Sequence, residues 1–189
     1  EYVEKVVAYI NSVADNDFEK IKMVFDIEQE ILTYDHETWQ KSLQKIAIAK
    51  KGVGEDYKLY KKNLNELSKK APKDYPDQSW KNVLESGTCV CNGYAQLMQY
   101  FCYKLGIKCA WISNPEDMIF AEGHAWNIVE INGEHYHLDA TWGPSWLFME
   151  PEAFLKGGHF PKEPEQQLLE KPMTLDEYKK LKNYKGNNS

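Results

Sequence analysis

The chain lacks the features that define several large classes of protein. No run of apolar residues approaches the about 20 needed to cross a bilayer, so the sequence predicts no membrane insertion. Four cysteines among 189 residues are too few for a fold built on disulfides. A net charge of −6 argues against nucleic acid as a partner. Internal repeats and low-complexity tracts are also absent, which leaves a globular domain with an apolar core.

Signals for a metal ion or for a cellular compartment are scarce. No EF-hand loop is present, and Cys89 and Cys91 do not have the common zinc spacing. We therefore predict no metal ion and no other cofactor. The chain begins with Glu1 rather than Met, which is typical of a trimmed fragment. Export to a secreted, periplasmic or surface-attached location fits that start, but the sequence leaves the compartment open.

Positive charge is concentrated in one segment. Residues 40–73 contain ten lysines and three acidic residues, so by subtraction the rest of the chain carries about −13. Within it, Gly52-Val53-Gly54 interrupts the lysine-rich stretch 40–70 and predicts two short helices around a turn. We expect a solvated helical hairpin, and the alternative is a docking surface for an acidic partner.

Apolar residues at helical spacing predict further helices. Two lie near the start of the chain, the second capped by Asp17 and ended by Tyr34-Asp35. A later helix ends at Gly106, and residues 107–113 then predict a buried strand. The buried stripe of that later helix consists of Tyr94, Leu97, Met98, Phe101, Cys102 and Leu105.

The clearest local signal is a β-hairpin. Asn132-Gly133 separates two β-rich runs, HAWNIVEI and EHYHLDATW, and predicts a two-residue turn. With that turn, Ile131 faces Glu134. One face of the hairpin is then the more apolar, and we expect it to pack on the core. That face contains Ala125, Asn127, Val129, Ile131, Tyr136, Leu138, Ala140 and Trp142.

The opposite face of the hairpin carries polar candidates. His124 and Asp139 are diagonal neighbours there, about 7–8 Å apart at the backbone, and their side chains can meet across that gap. A bulge would instead place them on opposite faces. Trp126 faces Asp139 and would shield the pair from water. His135 and His137 share this face and have an alternative interpretation as metal ligands, but we expect them to be exposed.

Cys91 stands where the later helix begins. Unpaired backbone N–H groups and the helix dipole favour an anion there, so we expect thiolate at neutral pH. A thiolate beside an imidazole that a carboxylate orients is the general arrangement for acyl transfer. Gly93 would let a substrate backbone approach. A lone cysteine at a helix start would be weak evidence of a nucleophile. The case for Cys91 is stronger because the hairpin also pairs His124 with Asp139.

The other three cysteines favour structural roles. Cys89 has an alternative role as a redox partner of Cys91, but a disulfide between residues two apart is strained, and we expect a small loop residue. Cys102 and Cys109 lie in apolar surroundings that are typical of core residues.

Three segments resemble the transglutaminase-like superfamily. They are CNGYA from Cys91, GHAWN from Gly123 and LDATW from Leu138, in the order of the family's own blocks. The resemblance implies an α+β, papain-like core in which the helix that bears the cysteine packs on an antiparallel sheet. It also implies that Cys91 is the nucleophile, His124 the base and Asp139 the orienting acid.

The likeness extends over roughly residues 18–182. The segments FMEPEAF and HFP, near the end, resemble the kyphoscoliosis-peptidase-like branch of that superfamily. We expect a single domain over residues 1–189. It comprises a mainly helical part, 1–75, a catalytic core, 76–160, and a tail, 161–189, that packs on the core.

These observations predict cysteine-dependent acyl transfer on protein or peptide amides through a thioester at Cys91. The enzyme would be a peptidase, a deamidase or a transglutaminase, according to the acceptor. The backbone N–H of Cys91 is one oxyanion donor, and Gln78, Trp80 or Tyr34 is a candidate for the second. The alternative is a catalytically silent module that binds a peptide or protein in the same cleft.

Overall fold

The computed structural model describes residues 1–71, 76–114, 123–149, 151–157 and 159. In these ranges the chain forms seven α-helices and five strands. The helices are α1 Tyr2–Val13, α2 Asp17–Ile31, α3 His36–Lys50, α4 Tyr57–Lys70, α5 Trp80–Ser86, α6 Cys91–Leu105 and α7 Pro151–Lys156. The strands are β1 Thr33–Tyr34, β2 Thr88–Cys89, β3 Cys109–Ser113, β4 Ala125–Ile131 and β5 Glu134–Leu138.

The predicted hairpin and its register are confirmed. β4 and β5 pair antiparallel with Ile131 opposite Glu134 and Asn127 opposite Leu138. Asn132 and Gly133 have φ angles of 54° and 81°, and this left-handed conformation at both turn residues matches the twist of the flanking strands. β3 pairs with the other edge of β4 to give the antiparallel order β3-β4-β5.

α6 packs on one face of this sheet, which confirms the expected α+β arrangement. Val129, Ile131 and Leu138 lie in one buried cluster with apolar side chains of α6. The Asn127 side chain donates a 2.9 Å hydrogen bond to the Ala95 carbonyl of α6. Gly106 has a φ of 75° and ends α6 as predicted. The helix that begins at Cys91 is therefore fixed against the strands that lead to His124 and Asp139.

The N-terminal helices pack around α6, but two predicted boundaries are wrong. Asn16, rather than Asp17, caps α2, because its extended backbone lets its side chain accept the Glu19 N–H at 3.0 Å. α2 ends at Ile31, and β1 follows and pairs in parallel with β2. Asp35 does not end α2 but caps α3, accepting the Thr38 N–H at 2.9 Å.

The lysine-rich stretch forms the two predicted helices, α3 and α4, which pack on each other. Gly52 and Gly54 in the turn have φ angles of 76° and 56°. No residue of α4 is buried. The acidic partner stays a prediction.

No described helix is both long and apolar enough to span a bilayer. The whole predicted tail, 161–189, lies outside the described residues.

Candidate active site

The thiol of Cys91 stands at the N-terminus of α6 and is half-buried. The residue before it, Val90, is the helix N-cap, and its N–H donates to the side-chain oxygen of Gln78 at 2.9 Å. The Gln78 nitrogen donates in turn to the Pro76 carbonyl at 3.0 Å. Gln78 therefore fixes the backbone that leads into the cysteine. Gln78 is one of the three oxyanion candidates, and this bond places it at the helix start.

Cys89 lies in the core beneath this helix start rather than in an open loop. It is fully buried in β2, with burial and the nearby Glu28 raising the pKa of its thiol to about 12. All four cysteines are free, and Cys102 and Cys109 are buried as predicted. Cys89 is therefore a protonated core thiol at neutral pH.

Gly93 has a packing role that differs from the predicted one. A Cβ atom at this position would lie 2.4 Å from the Cys89 Cβ and 2.9 Å from the Gln78 side-chain oxygen. The glycine therefore makes room for these two side chains. Its role in admitting a substrate backbone stays a prediction.

His124 and Asp139 meet as the hairpin register predicted. His124 immediately precedes β4 and Asp139 immediately follows β5. The His124 Nε2 atom lies 2.5 Å from the Asp139 Oδ2 atom. Burial acts to lower the pKa of His124, but hydrogen bonds with Asp139 and Cys91 outweigh it and raise the pKa to about 9. Asp139 occupies Nε2, which leaves Nδ1 of the same ring for the Cys91 thiol.

Asp139 is held from several sides. Its Oδ1 atom accepts the Thr141 N–H at 2.9 Å, and its own N–H donates to the Trp146 carbonyl at 2.9 Å. Burial acts to raise the pKa of the Asp139 carboxyl, but hydrogen bonds from His124 and His159 outweigh it, so the pKa is lowered. The carboxylate is therefore charged although it is fully buried.

His159 is a site residue that the sequence analysis left without a role. Its Nε2 atom lies 2.9 Å from the Asp139 Oδ2 atom, the oxygen that His124 also contacts. The only sequence signal was its position in the HFP segment that resembles related proteins. No local pattern of period two or 3.6 connects this residue to the hairpin.

Two tryptophans flank the His–Asp pair. Trp126 is buried beside it, with its ring centroid 6.1 Å from that of His124, and its indole N–H donates to His137 at 3.0 Å. Trp142 was predicted to pack in the core and does not. It is 47% exposed and stacks on His124 at 4.9 Å. The strand ends at Leu138, since Asp139 starts a turn that carries Trp142 to the His124 side.

The prediction that His135 and His137 are exposed is wrong for both, since His135 is partly buried and His137 is almost completely buried. Phe154 of α7 covers the His137 ring at a centroid distance of 4.8 Å. His135 lies beside Glu130, 3.5 Å away. α7 thus covers a sheet face that the sequence left open to solvent.

Three described side chains converge closely enough to hold a metal ion, namely His124, Asp139 and His159. Both imidazoles contact a single carboxylate oxygen, at 2.5 Å and 2.9 Å. Ligands that share a tetrahedral zinc ion lie about 3.3 Å apart, because each metal–ligand bond is about 2.0–2.1 Å long. The observed contacts are shorter, so the geometry is that of hydrogen bonds and does not fit an ion.

The remaining oxyanion candidates, Trp80 and Tyr34, have different neighbours. Trp80 stacks on Tyr100 at 3.8 Å, and Tyr100 lies about 13 Å further along α6 than Cys91. Tyr34 is the β1 partner of Cys89 and packs its ring against His36. Trp80 thus contacts α6, whereas Tyr34 pairs with the strand that leads into Cys91.

Comparisons with known proteins find similarity over the segment that contains these residues. Residues 55–140, which include Cys91, His124 and Asp139, match the sequence model of the Transglutaminase-like superfamily. The kyphoscoliosis peptidases of Mus musculus and Homo sapiens are each 25% identical over an alignment of 121 positions, and each match covers 51% of this chain. The match covers only 18% of the length of each of these relatives. A solved structure described as "Crystal structure of a TGase" aligns with 97% of this chain and 48% of its own, at 15% identity and a TM-score of 0.49.

Proposed function

We propose that this chain, whose residues 55–140 match the model of the Transglutaminase-like superfamily, catalyses acyl transfer from protein or peptide amides through a thioester at Cys91. Cys91 is the nucleophile, His124 the acid and base, and Asp139 the residue that orients His124. The observation that carries the proposal is the environment of His124. Its imidazole bonds the buried Asp139 carboxylate and also interacts with the Cys91 thiol at the start of α6.

The chemistry follows from the charges at this site. With a pKa of about 9, His124 is protonated at neutral pH and stabilises a thiolate on Cys91. The thiolate attacks the amide carbon, and the resulting oxyanion accepts hydrogen bonds from the Cys91 N–H and a second donor, for which Gln78, Trp80 and Tyr34 are the candidates. His124 gives its proton to the leaving nitrogen as the C–N bond breaks. An amine or ammonia leaves, and a thioester remains.

The second half-reaction regenerates the thiolate. His124, now neutral, removes a proton from the acceptor, which attacks the thioester carbon. Water as acceptor gives hydrolysis, and an amine gives a cross-linked product. The two curated relatives carry the name peptidase, so we propose water as the acceptor. Because the chain matches only 18% of their length, substrate choice is not carried over from them.

One incubation separates these outcomes. The protein is mixed with a peptide library and a labelled primary amine, and products are followed by mass spectrometry. Shorter peptides indicate a peptidase, a mass gain of about 1 Da per glutamine indicates a deamidase, and incorporated label indicates a transglutaminase. We expect shorter peptides, and Cys91→Ala run in parallel should give none of the three.

The alternative is a catalytically silent module that binds peptides in the same cleft. Iodoacetamide at pH 6 distinguishes the two, because a thiolate reacts and a thiol does not. We expect Cys91 to be alkylated much faster than a free model thiol, and the three buried cysteines to stay unmodified. Equal rates for Cys91 and the model thiol would favour the binding module.

A further inference from the structure

Asp139 receives a second imidazole from the part of the chain that follows α7. We propose that His159 is a positioning residue, which fixes the Asp139 carboxylate in the orientation that serves His124. His159, three residues after the end of α7, is thus a fourth member of the site. The inference rests on the proposed function, since it assigns His159 a role in the same reaction.

The first support is the geometry around Asp139. Both imidazoles lie on its Oδ2 atom, His124 at 2.5 Å and His159 at 2.9 Å, while Oδ1 accepts the Thr141 N–H. The last torsion of an aspartate side chain is soft, so partners rather than rotamer preference fix its angle. His159 and Thr141 together hold both oxygens, so the carboxylate plane does not depend on His124 alone.

The second support is the burial of His159. The side chain has no exposed surface and lies among aromatic rings, with the Phe154 centroid 4.1 Å and the Trp142 centroid 4.6 Å away. Its Nδ1 atom has no hydrogen-bond partner among the described residues. A phenylalanine would fill such an environment without desolvating a polar nitrogen. The contact of Nε2 with Asp139 is the observed interaction that a phenylalanine would lose.

The third support is the protonation pattern. An ionised carboxylate only accepts hydrogen bonds, so Nε2 of His159 must carry a proton, as must Nε2 of His124. The titratable groups that act on Asp139 are therefore His124, which precedes β4, and His159. On the neighbouring elements, His137 of β5 is bonded to Trp126, and Cys91 of α6 acts on His124. Two donors keep the buried carboxylate charged to a lower pH than one donor would.

The test is the pH dependence of Cys91 alkylation by iodoacetamide, which needs no identified substrate. We compare wild type with His159→Phe, which removes the donor but keeps a ring, and His159→Gln, which keeps an N–H near the position of Nε2. The acid-side midpoint is the pH at which the alkylation rate of Cys91 falls to half as the solution is acidified. In His159→Phe this midpoint should move to higher pH by about one unit, since a hydrogen bond to a charged group shifts a pKa by roughly that amount. His159→Gln should stay near the wild-type midpoint.

A matched control removes packing without touching the hydrogen bond. Phe154→Leu disturbs the same aromatic cluster, so it should lower the melting temperature but leave the acid-side midpoint unchanged. If His159→Phe has the wild-type midpoint, or His159→Gln shifts as far as His159→Phe, the inference is wrong. If wild-type Cys91 reacts no faster than a model thiol, the proposed function fails instead, so the two failures are distinguishable.

A second measurement does not depend on any variant folding. In ¹⁵N-histidine-labelled wild type, the Nε2 atom of His159 should carry a proton. The ring can be assigned by its proximity to the Phe154 and Trp126 rings. A proton on Nδ1 with a bare Nε2 would overturn the inference, because that nitrogen could not donate to Asp139.

Discussion

The His124 imidazole and the Asp139 carboxylate are in contact, although each lies one residue beyond the strand that carries it. The β4–β5 ladder runs from Ile131 and Glu134 to Asn127 and Leu138, so it ends just before the pair. Both residues have left the ladder, and their side chains can turn toward each other and toward the start of α6. The paired strands thus bring His124 and Asp139 to the same end of the hairpin, but the two residues are not themselves paired in the β-ladder.

Replacing Asp139 with Asn keeps the shape but removes the charge that stabilises the His124 imidazolium. We expect kcat to fall by roughly 10²–10⁴-fold, with KM little changed, because an oriented carboxylate acts mainly on the transition state. Steady-state kinetics on the identified peptide measures this. A wild-type kcat in Asp139→Asn would contradict the assigned role.

Replacing Cys91 with Ala should lower turnover by at least roughly 10³-fold, because the bond-forming atom is lost. The thiol is half-buried at a helix end, so the melting temperature should change by only a few degrees. Cys109→Ala is the matched control, as a buried cysteine of β3 that should keep activity. If Cys91→Ala turned over as fast as Cys109→Ala, a thioester at Cys91 would be excluded.

The free energy of unfolding should fall between about pH 6.5 and pH 9 because of His124. Its pKa is about 9 in the folded protein against 6.5 for the free side chain, so its stabilising effect is complete below pH 6.5 and is lost as pH rises through 9. The loss is up to about 3 kcal/mol by the factor of 1.36 kcal/mol per pKa unit. The difference in free energy of unfolding between wild type and His124→Gln, measured by urea denaturation, isolates this effect. A difference that stays constant with pH would contradict the prediction.

Glu28 should make the protein less stable as pH rises. It is fully buried on α2, and neither side-chain oxygen has a hydrogen-bond partner in the described part of the chain. Burial, with the nearby Cys102, raises the pKa of Glu28 well above 4.5. Its contribution is therefore complete below pH 4.5 and is lost as pH rises toward the folded-state pKa.

Glu28→Gln tests this effect, because it keeps the shape and removes the titration. Relative to wild type, the variant should gain stability from pH 4.5 to pH 7.5, measured by urea denaturation at both values. Glu30→Gln is the matched control on the exposed side of the same helix and should show no such trend. Parallel curves for Glu28→Gln and wild type would mean that Glu28 titrates normally.

Trp142 should contribute to the high pKa of His124. Its ring stacks on the imidazole, and a cation over an aromatic face is stabilised by about 0.5–1 kcal/mol at a partly exposed site. Trp142→Ala should therefore lower the pKa of His124 by less than one unit, as followed by NMR titration. Trp111→Ala, at a similarly exposed tryptophan of β3, should leave it unchanged. Equal shifts in both variants would point to a general effect of lost stability.

Local signals were reliable where a period or a turn type was decisive. Asn132-Gly133 predicted the hairpin register, and that register predicted the contact between His124 and Asp139. Gly106 marked the end of α6. Boundaries without such a constraint were placed less accurately. Asn16 and Asp17 are both good caps, and only the extended backbone at Asn16 separates them.

Contacts between distant segments were not predictable in the same way. His137 is buried because α7 folds back onto the outer face of the sheet, and His159 reaches Asp139 because the chain continues past α7 over the same face. Glu28 did follow a local signal, since it lies four residues after Val24 on the apolar stripe of α2. Because glutamate is polar, the apolar pattern of α2 did not indicate that this position is buried.

The sequence by itself determined the hairpin, the helix that begins at Cys91 and the pairing of His124 with Asp139, because these depend on turn geometry and on periods of two and 3.6 residues. Only the tertiary structure decided which side chains surround that pair. It placed His159 and Trp142 against the pair and filled the space at Gly93 with Cys89 and Gln78. The reason is that packing between segments far apart in the chain depends on how whole elements fit together, and no short stretch of sequence encodes that fit.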